Sequence, residues 1–161
     1  MEYIHSLNPD SDQTGCFLCR YWDAPTDDVQ NHVVWRTDRI FVVMNRFPYT
    51  NGHLLISPAV HAGDLSALDD TTLAALMNAT RDAVALLSKT VNPHGYNVGI
   101  NLGRCAGAGL PEHVHAHVVP RWNGDTNYMA VVGNARVIPQ ALNALYVQLT
   151  ANAAKIGLPK P

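Results

Sequence analysis

The stretch that decides the fold is 113-HVHAHVVPRW-122, in which histidines alternate with apolar residues. Successive side chains of a β-strand point to opposite faces, so His113, His115 and His117 share one face and the apolar residues share the other. Their Cα atoms would lie roughly 6–7 Å apart, which crowds three imidazoles onto one surface. Imidazole serves as metal ligand, general acid or base, or nucleophile. The pattern therefore predicts a strand with one face in the core and one functional face.

The rest of the chain alternates short apolar segments with two long amphipathic ones. Four further strands are predicted, at residues 32–36, 39–45, 53–57 and 96–102. Helices are predicted at 71–89, with Asp70 as the N-terminal cap, and at 139–155, with Pro139 in the first turn. Hairpins interspersed with two main helices indicate an α+β fold with a mainly antiparallel sheet of about five strands.

A single domain is expected, because 161 residues suit one core and the sequence contains no repeat or interdomain linker. Within it we distinguish an N-terminal arm at 1–31, a core at 32–130, and a C-terminal helix with its tail at 131–161.

Composition excludes several functional classes. The hydrophobic fraction of 47% and the net charge of −2 are typical of a globular protein. A pI of about 6.4 provides no basic field, which argues against binding of nucleic acid polymers. No apolar run approaches the ~18–20 residues of a membrane helix. The first residues lack the basic and apolar regions of a signal peptide, so a cytoplasmic location is expected.

The three cysteines are an odd number and argue against a disulfide framework. Cys16 and Cys19 form a C-x-x-C pair, which is either redox-active or half of a metal site. The stretch 23–30 that follows is polar, contains proline and is interpreted as a loop rather than the helix of a thioredoxin-like motif, which favours metal. Cys105 is interpreted as a small buried residue.

A glycine-rich loop at 103–109 leads into the histidine stretch. Gly107 and Gly109 would let the backbone approach a ligand closely and point N–H groups at an anion. An ordinary connection between strands is the alternative, since such loops are common. Next to three histidines, the loop predicts a phosphate cradle.

Together these residues resemble the histidine triad (HIT) superfamily. The pattern His-φ-His-φ-His-φ-φ, where φ is apolar, is matched at every position of 113–119. The segments 41–48 and 52–58 resemble the family's nucleotide-binding hairpin, and 97–103 and 120–127 resemble a bacterial branch of dinucleoside polyphosphate hydrolases and phosphorylases. The resemblance runs from about residue 16 to 129 and implies a HIT-like α+β fold.

The resemblance implies a role for each matched residue. His115 would be the nucleophile that attacks the α-phosphorus of an adenine nucleotide, with His117 contacting phosphate oxygens and His113 completing the triad. A hydrogen bond to a backbone carbonyl from the ring nitrogen of His115 that does not attack would fix its tautomer. The implied nucleotide-binding residues are Phe41, Asn45, His53, Asn101, Gly107, Gly109 and Trp122. Phe41 could equally be plain core, and Asn45 could cap a turn.

Some members of the superfamily hold a structural zinc ion, and the resemblance places its ligands here on Cys16, Cys19, His61 and His113. Two cysteines and two histidines are a sound tetrahedral zinc set. The alternative is two buried thiols and a surface His61. A polyphosphate substrate could in addition be bound together with Mg²⁺.

One departure from the family concerns the acceptor. Animal dinucleoside triphosphate hydrolases carry glutamine in this loop, and some close bacterial phosphorylases carry serine where Gly109 stands. This chain has no side-chain donor at Gly109, so either water or phosphate could accept the nucleotidyl group. The resemblance also implies a homodimer, with the sheet extended across the two-fold axis and helix 71–89 at the interface.

Three functional hypotheses follow. The first is a nucleotide hydrolase or nucleotidyl transferase acting on dinucleoside polyphosphates, with adenosine phosphoramidates and adenylyl adducts as alternative substrates. The second is a catalytic zinc ion held by the three histidines. The third is a non-catalytic nucleotide sensor or partner-binding module.

Overall fold

The computed structural model describes residues 15–126, 132 and 138–159. Within them the α-helices are α1 (Phe17–Asp23), α2 (Asp28–Asn31), α3 (Asp70–Val91) and α4 (Leu142–Lys155). The strands are β1 (Val33–Arg36), β2 (Ile40–Met44), β3 (Leu54–Pro58), β4 (Gly95–Ile100) and β5 (Ala116–Arg121). Short 3₁₀ turns occur at Pro25–Asp27, Leu65–Ala67 and Arg104–Ala106. The predicted boundary at 130/131 lies outside the described residues.

The five strands form one antiparallel sheet in the order β1-β2-β3-β5-β4. The predicted α+β class is therefore confirmed. Strand β5 lies between β3 and β4, and its register places His117 opposite Leu55 on one side and Gly99 on the other. The end of the histidine stretch thus lies on an interior strand, whose backbone is hydrogen-bonded to β3 on one side and to β4 on the other.

The two faces of the sheet pack against different helices. Helices α3 and α4 cover one face, and the alternating residues Val114, Ala116 and Val118 are buried in that core. The apolar half of the predicted alternation is confirmed. Helix α1 covers part of the other face, where Leu18 and Phe41 are fully buried. Burying both faces explains why β2 is apolar at every position.

The predicted helix starts differ from the observed ones by one residue for α3 and by three residues for α4. The side chain of Asp69, not Asp70, caps α3, because its Oδ1 accepts the N–H of Thr72 at 2.6 Å. An aspartate at 69 or at 70 could cap the helix, and the conformation of the preceding turn decides which one does. Pro139 is not in the first turn of α4, which begins at Leu142.

The interpretation of residues 23–30 as a loop is also wrong. They end α1 and continue through a 3₁₀ turn into α2. Arg36 of β1 organises this region, because its guanidinium pairs with Asp28 and donates to the carbonyls of Tyr21 and Trp22 at the end of α1. The Arg36 guanidinium therefore donates to carbonyls at the end of α1 that have no hydrogen-bond partner within the helix.

Candidate active site and metal centre

His115 has a single defined tautomer. Its side chain is 6% exposed, and its Nδ1–H donates to the carbonyl oxygen of His113 at 2.8 Å. Since a neutral imidazole carries one proton, Nε2 keeps a bare lone pair. Burial lowers the pKa of His115 below its ordinary value of 6.5, against the opposing effect of that hydrogen bond. A neutral, oriented imidazole of this kind is suited to nucleophilic attack.

His113 and His115 lie just before β5, which begins at Ala116. The chain is held there by the N–H of Val114, which donates to the carbonyl of Ala62 at 2.6 Å. The alternation of side chains between the two faces therefore begins at His113, before the first hydrogen-bonded residue of β5. The imidazoles of His115 and His117 remain neighbours, with ring centroids 4.9 Å apart.

A buried chain of hydrogen bonds fixes the tautomer of His117. The backbone N–H of Phe47 donates to Asn45 Oδ1 at 2.9 Å, which turns the Asn45 Nδ2 group toward His53 Nδ1 at 3.2 Å. Tyr49 N–H donates to the same nitrogen at 3.2 Å. His53 Nδ1 is thus an acceptor, and the proton of neutral His53 lies on Nε2.

The chain continues from β3 to β5. His53 Nε2 and His117 Nδ1 are 2.9 Å apart, so Nε2–H of His53 donates and Nδ1 of His117 accepts. Neutral His117 therefore carries its proton on Nε2, next to His115. Burial, and secondarily the neighbouring His115, lowers the pKa of His117 to about 4. We call Asn45, His53 and His117 the imidazole relay.

Tyr49 was not predicted as a site residue. Its ring lies 4.6 Å from His53 and 6.0 Å from His117, nearly parallel to the latter at 13°. An aromatic residue in a proline-containing loop carries no local signal that would single it out.

Ser57 was also missed, and its Oγ lies 3.1 Å from His113 Nε2. A serine within an apolar strand run was the available clue.

The glycine-rich loop is placed beside Asn101. The Nδ2 atom of Asn101 lies 4.0 Å from the position of a Cβ at Gly107, whose φ of +85° favours glycine. The N–H groups of Gly107 and Ala108 donate to loop carbonyls, so in this structure they are committed to the turn. Gly109 has no positive φ. Cys105 in this loop is exposed, so its interpretation as buried was wrong.

Phe41 is fully buried, with its ring 5.8 Å from Trp22 and 5.5 Å from the Arg36 guanidinium. It belongs to the core under α1, and any base bound there would pack beside that core. Trp122 follows the far end of β5, where its N–H donates to Asp125. The structure thus brings Asn45, His53, His115 and His117 together and places Trp122 at the opposite end of the strand.

A second cluster gathers around His113. Cys16 Sγ and Cys19 Sγ lie 3.2 and 3.5 Å from His113 Nδ1, and His61 Nδ1 lies 3.2 Å from Cys19 Sγ. All four donor atoms lie within 4.8 Å of one another. Tetrahedral zinc with bonds of about 2.0–2.3 Å separates its ligand atoms by about 3.3–3.8 Å, so this spacing fits.

The protonation of the cluster also suits a metal. His113 Nε2–H donates to the Pro58 carbonyl at 2.9 Å, which leaves Nδ1 bare and directed at the thiols. Such a bond from the outer nitrogen is typical of metal-bound histidine. Burial and the adjacent Cys16 raise the pKa of Cys19 to about 11, so its thiol keeps its proton until a bound cation displaces it. Among the described residues, this is the group able to hold a metal. The three triad imidazoles do not converge on one point, which argues against the hypothesis of a catalytic three-histidine zinc ion.

Comparison with known proteins agrees with the site. The HIT domain family matches residues 26–124, and the chain belongs to that family. It is 44% identical over 115 residues to AP-4-A phosphorylase from Mycobacterium tuberculosis, a match that covers 71% of this chain and 59% of that protein. The chain thus spans about three-fifths of the length of that relative.

Solved structures share the fold. A zinc-bound histidine triad family protein from Mycobacterium smegmatis superimposes with a TM-score of 0.71 at 24% identity, covering 88% of this chain and 95% of that one. A protein from Sulfolobus tokodaii described as a hypothetical histidine triad nucleotide-binding protein gives a TM-score of 0.69 at 21% identity, covering 88% of this chain and 93% of that one. Of the helices that the structure describes, none has the length and apolar character needed to cross a membrane.

Proposed function

We propose that the protein transfers a nucleotidyl group from the α-phosphate of an adenine nucleotide to water or phosphate, through a covalent intermediate on His115. One observation carries the proposal: the His113 carbonyl holds the Nδ1 proton of His115 and leaves Nε2 with a bare lone pair, on a ring whose centroid lies 4.9 Å from that of His117. This is the tautomer that attack requires, because the nitrogen that bonds to phosphorus must be unprotonated.

The chemistry has two balanced steps. The Nε2 lone pair of His115 forms the N–P bond while the bond from phosphorus to the leaving group breaks, and that electron pair stays on the leaving phosphate oxygen. Nε2–H of His117 would donate a hydrogen bond to the charge that develops. An oxygen of water or phosphate then bonds to phosphorus, the N–P pair returns to His115, and the proton released goes to solvent.

Relatives support dinucleoside polyphosphates as the substrate class, because one is named AP-4-A phosphorylase. Another, 28% identical over 104 residues and covering 65% of this chain, is the adenosine 5'-monophosphoramidase hnt1 of Schizosaccharomyces pombe, which makes phosphoramidates the second class to test. Because Phe41 is fully buried, the base would pack beside the core cluster that contains it and not on its ring. Mg²⁺ would come with the polyphosphate as part of the substrate.

Product chromatography tests the proposal. Purified protein would receive diadenosine tetraphosphate, diadenosine triphosphate or adenosine 5'-phosphoramidate, each with and without inorganic phosphate. We expect AMP without phosphate, and ADP in its presence if phosphate is the acceptor. His115→Asn should lower turnover by about 10⁴-fold or more, whereas the matched surface variant His94→Asn should retain it. Equal turnover in His115→Asn would contradict the proposal, and so would the absence of product from every substrate.

We further propose that Cys16, Cys19, His61 and His113 hold a structural zinc ion. Support comes from the spacing of the four donors and from the zinc-bound structural neighbour. Zinc bound there would link α1 to the entry of β5 and stabilise the fold. The catalytic steps above use other atoms of the chain.

A homodimer is the third element of the proposal. Strand β4 is an edge of the sheet, and Asn97, Val98 and Gly99 are exposed along it. Met77 on α3 is 58% exposed. An open, partly apolar edge of this kind favours pairing with another strand, and sedimentation of the purified protein would measure the assembly.

A further inference from the structure

Tyr49 is a residue of the β2–β3 loop that contacts both histidines of the imidazole relay. Its backbone N–H donates to His53 Nδ1 at 3.2 Å. Its ring lies 4.6 Å from the ring of His53 and 6.0 Å from that of His117, at 13° to the latter plane. The residue is 37% exposed, so it lies between the relay and solvent. The backbone of Tyr49 thus binds His53, and its ring lies against both His53 and His117.

We propose that Tyr49 is a positioning residue for the reaction, whose ring keeps His117 in the neutral form that accepts the hydrogen bond from His53. This inference rests on the proposed function, because it concerns the hydrogen-bond donor beside the nucleophile. The ring would act through His117 and need not touch the reacting phosphorus.

The physical reason is exclusion of water from the relay. The Tyr49 ring covers His117 and keeps water from it, which disfavours the charged form. The cation–π attraction that opposes this effect is weak at a centroid separation of 6.0 Å, the outer limit of such contacts. Among the described residues, three titratable groups face His117: His115 two residues before it, His53 just before β3, and Tyr49 in the β2–β3 loop. A neutral His117 can accept from His53 at Nδ1, whereas a protonated one would oppose two N–H groups across 2.9 Å. Neutrality and tautomer are therefore coupled.

The backbone contact of Tyr49 survives substitution, which makes the ring the part that can be tested. Tyr49→Leu removes the ring and retains an apolar side chain. Tyr49→Phe keeps the ring and removes only the hydroxyl. Phe47→Leu is the matched control, because it removes an aromatic ring from the same loop at a residue that is more exposed, at 52%.

The experiment is a pH titration of the purified proteins followed by long-range ¹H–¹⁵N correlation of the histidine rings, which distinguishes a protonated from a bare ring nitrogen. In Tyr49→Leu we expect the pKa of His117 to rise by about one unit, while the hydrogen bond from His53 keeps the proton of the neutral form on Nε2. Tyr49→Phe and Phe47→Leu should keep the wild-type pKa and tautomer. With diadenosine tetraphosphate, the decline of kcat at low pH should begin about one pH unit higher in Tyr49→Leu than in wild type, with KM changed by less than about 3-fold.

Three results would overturn the inference: an unchanged His117 in Tyr49→Leu, an equal shift in Phe47→Leu, or a Tyr49→Phe protein that behaves like Tyr49→Leu. The first would show that the ring has no influence. The second would show that the whole loop has loosened, and the third would assign the effect to the hydroxyl. The spectra do not depend on turnover, so an inactive wild type would refute the proposed function alone.

Discussion

The two ends of the histidine stretch differ in the atoms that surround them. At the His113 end, two thiols and a second imidazole meet the bare Nδ1, and the outer nitrogen donates to a backbone carbonyl. At the His117 end, a chain of imidazole and amide groups sets which nitrogen carries the proton. Residues only four positions apart thus belong to two kinds of site: one able to bind a cation, and one able to hold a neutral hydrogen-bond donor.

His115 lies between the two ends and depends on both. Its tautomer is set by the carbonyl of His113, and its ring neighbour is His117. The comparison teaches that a repeated residue type need not have a repeated role, because each imidazole takes its role from the partner of its second nitrogen. Changes at the first end should therefore affect stability most, and changes at the second should affect turnover most.

The largest effect on stability is expected at the metal cluster. Cys16→Ser removes a ligand and should lower the free energy of unfolding by about 4 kcal/mol, which corresponds to about 10 °C in Tm for a chain of this size. Atomic emission should find about one zinc per wild-type chain and much less in the variant. Cys105→Ser is the matched control, since it makes the same chemical change at an exposed cysteine. A metal-free wild type, or equal Tm values for the two variants, would contradict the proposed zinc site.

A smaller effect, on turnover, is expected at the relay. His53→Leu removes the donor to His117 Nδ1, so His117 no longer has a fixed tautomer and kcat should fall by about 10²-fold. Because His53 is 1% exposed, circular dichroism must first establish that the variant folds. His53→Gln retains a side-chain amide that can donate, and it should recover part of the loss. Equal kcat in wild type and His53→Leu would remove the relay from the mechanism.

The smallest effect concerns pH. The pKa of His117 is about 4 in the folded protein and 6.5 as its ordinary value, so the unfolded chain binds more protons between these limits. Its contribution to stability is fully present above about pH 6.5 and is lost as pH falls toward 4. Urea unfolding between pH 7.5 and 5.5 should show a shallower decline in His117→Asn than in wild type. The same decline in both proteins would show that His117 is not the group responsible.

Much of the fold could be predicted from local patterns. All five strands were expected within a few residues of their observed positions, because period-two alternation and apolar runs are local properties. The helix boundaries at Asp70 and Pro139 were wrong because capping depends on the turn before the helix. The error at residues 23–30 has a different origin: Arg36, distant in sequence, satisfies the carbonyls that end α1.

The sequence by itself determined the histidine alternation, the C-x-x-C pair, the class of fold and the identity of the family. Only the tertiary structure decided that His113 meets the thiols while His117 meets His53, and that the ring of Tyr49 lies against the relay. The reason is physical. Periodicity assigns side chains to a face, but the tautomer and charge of an imidazole depend on hydrogen-bond partners from other strands and loops, which the sheet register brings within 3–4 Å.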